Sequence, residues 1–205
     1  MPVFFQQQIN ESTRLGVWKI EETEDFFKGN VPQHRDVTHP KKRLQHLAGR
    51  FLLHYLFPDF PYEQIRIADT RKPFLPAEQY HFSISHCGDY AAAIVSRTQR
   101  VGVDVEETEE RILRIKDKFL SLSEQALYIP DLGSPDFRLL TLLWSAKESV
   151  FKWYGAGEVD FRRHIRLTEL DSTHNTLHCD FVKSGEALTV NYRMFDRLVL
   201  SWVVL

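Results

Sequence analysis

Residues Trp144 to Gly155 read WSAKESVFKWYG. Taken as a helix, the stretch sets Glu148 and Lys152 one turn apart on a single face, with Trp144 a turn earlier on the same side. Leu139, Leu140, Leu143, Val150, Phe151 and Tyr154 supply packing around them. A carboxylate and an ammonium together on an apolar helix have two readings. One is an exposed i,i+4 ion pair, worth a few tenths of a kcal/mol. The other is a metal ligand beside a lysine that handles phosphate. The helix alone favours the first, so the decision falls to the rest of the chain.

Upstream lies Val101 to Glu106, VGVDVE. As a strand it sends Val101, Val103 and Val105 to one face and Gly102, Asp104 and Glu106 to the other. Two acids on one face sit about 6–7 Å apart and repel unless something neutralises them. Gly102 beside them leaves room for a ligand. An edge strand with solvated acids explains the same pattern equally well. Before it come Tyr80 to Ser85 and Tyr90 to Ser96, joined by a turn around Gly88, so residues 80–106 read as a three-strand meander. Residues 71–79, RKPFLPAEQ, read as an extended loop because of their two prolines.

Further out, residues 39–57 form a helix, with Pro40 in its first turn and Pro58 after its end. Arg43 and Arg50 flank one side of its apolar face, where they read as surface cations at least as readily as ligand contacts. A first strand is expected over residues 14–20 and a short helix over 23–29. Beyond Glu107 a charged helical stretch carries Ile112, Leu113, Ile115 and Phe119, and Ser123 starts a shorter helix. Ser134 and Pro135 read as the start of the Trp144–Gly155 helix, which Gly155 and Gly157 end. Strands follow over 165–170, 176–182, 187–195 and 198–205. Helix-then-strands thus occurs twice, with a joint at residues 97–101. The expected class is α+β, with two apposed subdomains, 1–100 and 101–205, and ligands in the cleft between them.

The bulk numbers narrow the function. The chain has 205 residues, 43% hydrophobic and 26% charged, with a net charge of −2. That balance is ordinary for a globular protein and argues against a general nucleic-acid binder. No apolar run approaches a membrane span, and the N-terminus lacks a signal-peptide pattern, so a cytoplasmic protein is expected. Cys87 and Cys179 read as reduced thiols, and the nine histidines include no zinc spacing.

Asp104, Glu106 and Glu148 are hard oxygen donors suited to Mg²⁺, which fills its remaining positions with water and phosphate oxygens. The turn Phe82 to Tyr90, FSISHCGDY, adds Ser83, Ser85 and His86 at a strand end. The succession RKPFLP, FSISHCGDYAAAIVS, VGVDVEE and WSAKESVFKWYG resembles the 4′-phosphopantetheinyl transferases of the surfactin-synthetase-activating type, over roughly residues 39–160.

The resemblance implies an enzyme that moves the phosphopantetheine arm of coenzyme A to a serine of an apo acyl or peptidyl carrier protein and releases 3′,5′-ADP. It implies a monomer of two pseudo-twofold-related halves. Asp104, Glu106 and Glu148 match the magnesium ligands, and Glu148 also the general base, acting directly or through a metal-bound water. Lys152 matches the lysine on the pyrophosphate that protonates the leaving group. Lys72, Ser85 and His86 match residues that hold coenzyme A, and Arg43 and Arg50 are further candidates for that role. Lys147 is free to form a salt bridge, and Glu107 is expected to face away from the acids. Arg111, Arg114, Lys116 and Lys118 with Phe119 and Leu120 read first as a solvated helix face, and otherwise as a basic, apolar surface for the carrier. A metal-dependent hydrolase of coenzyme A or a nucleotide, and a non-catalytic carrier-binding module, are the competing readings.

Overall fold

The computed structural model describes residues 3–32, 37–130 and 135–205. Strands β1 (Val3–Asn10), β2 (Thr13–Lys19), β5 (His81–Cys87) and β6 (Tyr90–Ser96) form one antiparallel sheet in the order β1-β2-β6-β5. Strands β7 (Val101–Glu107), β8 (Ile165–Asp171), β9 (Thr176–Phe181), β10 (Glu186–Met194) and β11 (Leu198–Val204) form a second, in the order β7-β11-β10-β9-β8. The short strands β3 (Arg66–Ile67) and β4 (Pro73–Phe74) pair with each other, and β4 falls inside the 71–79 stretch read as a loop. The class is α+β, as the alternating runs indicate.

The meander reading is corrected at its third strand. β5 and β6 make a hairpin, but β7 leaves them and pairs with β11, with Asp104 opposite Ser201 and Val103 opposite Trp202. Nothing local in VGVDVE encodes a partner a hundred residues away. β7 is an edge strand, yet it is not solvated: Asp104 is 2% exposed.

Two long helices cover the outer faces. Helix α2 (Pro40–Leu56) packs Leu47, Leu52, Leu53 and Leu56 against Trp18, Ala91, Ala93 and Val95 of the first sheet. The other face of that sheet, with Leu15, Val17, Ala92 and Ile94, meets Val101, Val103, Val105, Leu200 and Trp202 of the second. Helix α5 (Phe137–Tyr154) closes the far side with Leu140, Leu143, Ala146, Val150 and Trp153 on Ile165, Leu167, Val190 and Val203. The layers therefore run α2, sheet, sheet, α5. β6 is buried on both faces, which explains why its sequence, YAAAIVS, is apolar without alternation.

Helix α5 begins at an Asp136 cap, whose side chain accepts from the N–H groups of Arg138 and Leu139. Ser134, read as its start, lies outside the described residues. Gly155 ends it in the left-handed region at φ 71°, where only glycine sits without strain. The remaining helices are short: α1 (Glu24–Lys28), α3 (Lys116–Phe119), α4 (Leu122–Tyr128) and α6 (Phe161–His164). Residues Glu110–Ile115, read as part of one helix with Phe119, form a 3₁₀ turn before α3. Only Ile112 is buried in that turn, so no apolar stripe holds a regular helix there. α4 starts at Leu122, one residue earlier than read, behind a Ser121 capping box with Glu124.

The space beside Gly102 belongs to the protein and not to a ligand. A Cβ at that position would fall 2.0 Å from Ser149 O and 2.6 Å from Trp153 N. Glycine here lets α5 lie directly on β7, and that contact brings Glu148 and Lys152 to the acids.

Candidate active site

The two sheets meet at a seam where β5 runs beside β7. Short side chains of β5 bridge it. Ser83 Oγ accepts from Val103 N at 3.2 Å, Cys87 Sγ accepts from Glu107 N at 3.3 Å, and Ser85 Oγ donates to Asp104 Oδ1 at 2.8 Å. Alternation puts residues 83, 85 and 87 on one face of β5, so one strand can satisfy edge groups of the other without a backbone ladder.

Lys152 reaches the same place from α5. Its Nζ lies 2.6 Å from Asp104 Oδ1 and 2.8 Å from Ser85 Oγ. Asp104, Ser85 and Lys152 therefore form a closed triangle. The other Asp104 oxygen, Oδ2, is buried with no hydrogen-bond partner among the described residues. Glu106, two residues along the strand, accepts from the Trp144 indole Nε1 at 3.2 Å. Burial, and then the Asp104 charge, raise its carboxyl above the usual range. Glu148 is half-buried on α5, and burial followed by Asp104 pushes it up to about 7, against the opposing pull of Lys152. Three acids thus feel one another across β7 and α5, and an ammonium neutralises the most buried of them.

Among the described residues no three His, Cys, Asp or Glu side chains converge tightly enough to form a ready coordination group. The chemistry still suits a hard divalent cation. The donors are carboxylate oxygens, and a buried anionic oxygen without a donor is a site that a cation would complete.

Lys147, next to Glu148, takes a different path. It is fully buried, 2.7 Å from Glu124 Oε1, and its Nζ also donates to the carbonyls of Phe119, Phe161 and Ile165. Burial lowers its pKa, and Glu124 opposes that shift. Phe119 and Phe161 both touch Trp144, with ring centroids 5.2 and 5.5 Å away. Glu107 turns to the β5–β6 turn, where its carboxylate covers the Cα of Gly88.

The predicted coenzyme contacts separate. Ser85 is in the triangle. His86 is exposed at the end of β5, and its pKa is lowered, first by partial desolvation and also by Lys152 and Lys42. Lys42 is a cation the sequence reading passed over; it lies in the first turn of α2, beside Arg43. Arg43 donates to Glu24 Oε1 at 2.8 Å and to Val37 O at 2.9 Å, and it is the main cause that holds Glu24 down at about 2. Arg50 is buried within α2, with its Nε 3.1 Å from His46 Nε2. Lys72 donates to Lys152 O at 2.5 Å and Trp153 O at 3.2 Å; burial, then Arg100, push it down to about 8. Its stem lines a cavity of about 230 Å³ with Thr70, Ser83, Phe151, Lys152 and Gly155. On the other side Glu148 borders an open groove with Trp144, Phe151 and Phe161.

The surface after β7 is also revised. Phe119 and Leu120, expected to be exposed, are buried at 0% and 1%. Leu122, 84% exposed, and Leu127, 57% exposed, face outward there instead, with Arg111, Arg114 and Lys118 exposed nearby in the chain. No helix among the described residues is long and apolar enough to cross a membrane.

Comparison with known proteins matches both halves. Residues 100–202 fit the 4′-phosphopantetheinyl transferase superfamily, and residues 32–96 fit the 4′-phosphopantetheinyl transferase N-terminal domain. Enterobactin synthase component D of Escherichia coli O157:H7 is 38% identical over 180 residues, covering 83% of this chain and 82% of that protein. The 4′-phosphopantetheinyl transferase AcpT of the same organism is 31% identical over 147 residues, 67% of this chain and 70% of its own. The 4′-phosphopantetheinyl transferase psf-1 of Bacillus pumilus is 31% identical over 118 residues, 54% and 50%. With both halves matched and a relative covered over most of its length, the chain belongs to the 4′-phosphopantetheinyl transferase superfamily, enzymes that transfer phosphopantetheine from coenzyme A to carrier proteins.

Proposed function

We propose that the Ser85–Asp104–Lys152 triangle, with Glu106 and Glu148, is where the phosphopantetheine arm leaves coenzyme A for the serine of an apo acyl or peptidyl carrier protein. The observation that carries this reading is the convergence itself. A hydroxyl from the first half, an acid from β7 and an ammonium from α5 meet within 2.8 Å of one another.

In the reaction the serine oxygen attacks the β-phosphorus, an O–P bond forms, and the bond to the bridging oxygen breaks. In this reading Glu148 takes the serine proton. A positioned base contributes about 10²–10⁴-fold. Lys152 offers a proton to the departing 3′,5′-ADP phosphate and compensates charge on the pyrophosphate. Asp104, Glu106 and Glu148 would hold Mg²⁺, which supplies Lewis-acid polarisation of the pyrophosphate when bound. Trp144 steadies Glu106 through its indole N–H. Lys42 offers positive charge and His86 a ring N–H at the end of β5 for the remaining coenzyme phosphate, while Ser85 and the stem of Lys72 line the cleft.

Every side chain in this scheme comes from one chain, so a monomer suffices. Arg111, Arg114 and Lys118, with Leu122, form the surface proposed for an acidic carrier. The relatives named as enterobactin synthase component D make siderophore and nonribosomal-peptide carriers the first to try. The reading is tested by incubating the protein with coenzyme A, Mg²⁺ and a panel of apo carriers, then weighing each carrier intact. Glu148→Gln should abolish the mass gain and Lys152→Ala should slow it severely. Phosphopantetheine released into solution without a carrier would instead favour a hydrolase.

A further inference from the structure

We infer that Lys72 is a positioning residue: its ammonium caps the carbonyl end of α5 and so sets Lys152 against Asp104. The last carbonyls of a helix have no partner within it. For Lys152 O and Trp153 O the partners four residues on would be the N–H groups of Ala156 and Gly157, past the helix end. Lys72 Nζ fills both places, at 2.5 and 3.2 Å. Thr70 Oγ1 donates to Gly155 O at 3.0 Å. One loop of the first half therefore satisfies three of the four terminal carbonyls from Lys152 to Gly155. A cation is also the favoured charge at this end of a helix.

The packing is fitted to the lysine. Gly155 has φ 71°, and a Cβ there would fall 2.4 Å from Lys72 Cδ and 2.6 Å from Nζ. The lysine stem occupies the volume that a side chain would need. The cap acts on the residue that matters for the chemistry. Lys152 has its carbonyl on Lys72 and its ammonium on Asp104 and Ser85, so both ends are fixed across the seam. Released from the cap, the final turn of α5 can fray, and its side chains lose their register with β7. A lysine holding substrate phosphate would have to leave these carbonyls, so charge on Lys72 and order in the helix end would compete.

This inference rests on the assignment of Lys152 to the pyrophosphate, and the test separates the two. The rate of carrier modification is measured against coenzyme A concentration for Lys72→Ala, Lys72→Arg, Lys152→Ala and the Lys72→Ala/Lys152→Ala pair. Amide hydrogen exchange is followed at Gly155, whose N–H bonds Phe151 O. A misplaced catalytic group costs up to about 10²-fold, so Lys72→Ala should lose about 10- to 100-fold in kcat, with KM for coenzyme A within about twofold. The pair should be no slower than Lys152→Ala alone, since both remove the same contribution. Lys72→Arg, which keeps donors near the carbonyls, should recover most of the rate. Lys72→Met, which removes the ammonium and keeps the apolar stem, should mimic Lys72→Ala and keeps the test open if that variant is insoluble. Exchange at Gly155 should quicken in Lys72→Ala. A raised KM with kcat kept, or losses that multiply in the pair, would overturn the positioning role. If Lys152→Ala retains full kcat, the Lys152 assignment fails by itself; unchanged exchange at Gly155 would sink the cap whatever Lys152 does.

Discussion

Ser85 Oγ lies 2.8 Å from Asp104 Oδ1, and this hydrogen bond joins the first sheet to the second at the place where Lys152 arrives. It makes the site depend on how the halves are held together. Each half supplies side chains that do nothing alone: a hydroxyl without an acid on one side, an acid with one oxygen unpaired on the other.

Ser85→Ala should therefore weaken both fold and reaction. Asp104 is buried and would lose one of two donors on Oδ1, a change that costs about 1–3 kcal/mol when a buried charged group is involved. Urea denaturation reads the stability, and carrier modification reads the rate. No change in either would mean that the bond is incidental.

Glu148 gives a pH signature in metal-free protein. Its carboxyl is raised from 4.5 to about 7, chiefly by burial. The folded state then holds a proton that the unfolded state has released. Stability from this group is present below about 4.5 and is lost as pH rises through about 7. Glu148→Gln removes the titration, so in chelator its melting temperature should match the parent near the acid limit and exceed it above neutrality. Added Mg²⁺ should raise the parent's melting temperature and leave the variant's nearly unchanged. Parallel melting curves across this range would contradict the assignment.

Lys147 and Glu124 form a buried pair with side chains 0% and 4% exposed. Removing one partner leaves the other charge stranded, so Lys147→Ala should cost about 3–5 kcal/mol in denaturant unfolding. Replacing both, as Lys147→Met with Glu124→Gln, should cost less than the sum of the single changes. Simple additivity would show that the two do not act as a unit.

Gly102→Ala tests the contact that delivers α5 to β7. The new methyl would meet Ser149 O at 2.0 Å, and backbone on both sides leaves little room to relax. Overpacking typically costs about 1–3 kcal/mol and more where backbone must move. We expect a lower melting temperature together with loss of transfer. A fully active, equally stable variant would show that α5 can shift without harm to the site.

What could be read from sequence follows the range of the forces involved. The face carrying Trp144, Glu148 and Lys152 follows from helical period, and the division of Val103 from Asp104 follows from strand period; both are local. The pairing of β7 with β11 is not, because alternation states which face is buried and says nothing about the neighbour. The strand β1 was hidden by QQQ at Gln6, Gln7 and Gln8, since an outer strand of a sheet tolerates polar residues. Phe119 and Leu120 followed a charged run and looked exposed, but Lys147 draws that backbone inward by bonding the Phe119 carbonyl. Lys72 read as a substrate contact by resemblance; its bonds to Lys152 O and Trp153 O exist only once the loop and the helix end are packed together.

The most direct test is the intact mass of an apo carrier after incubation with the protein, coenzyme A and Mg²⁺, beside matched reactions with Glu148→Gln and Lys152→Ala. The account predicts a gain of one phosphopantetheine on the carrier with the parent protein, none with Glu148→Gln and a much slower gain with Lys152→Ala. A carrier that stays unmodified across several carrier classes, or one modified equally well by Glu148→Gln, would contradict it.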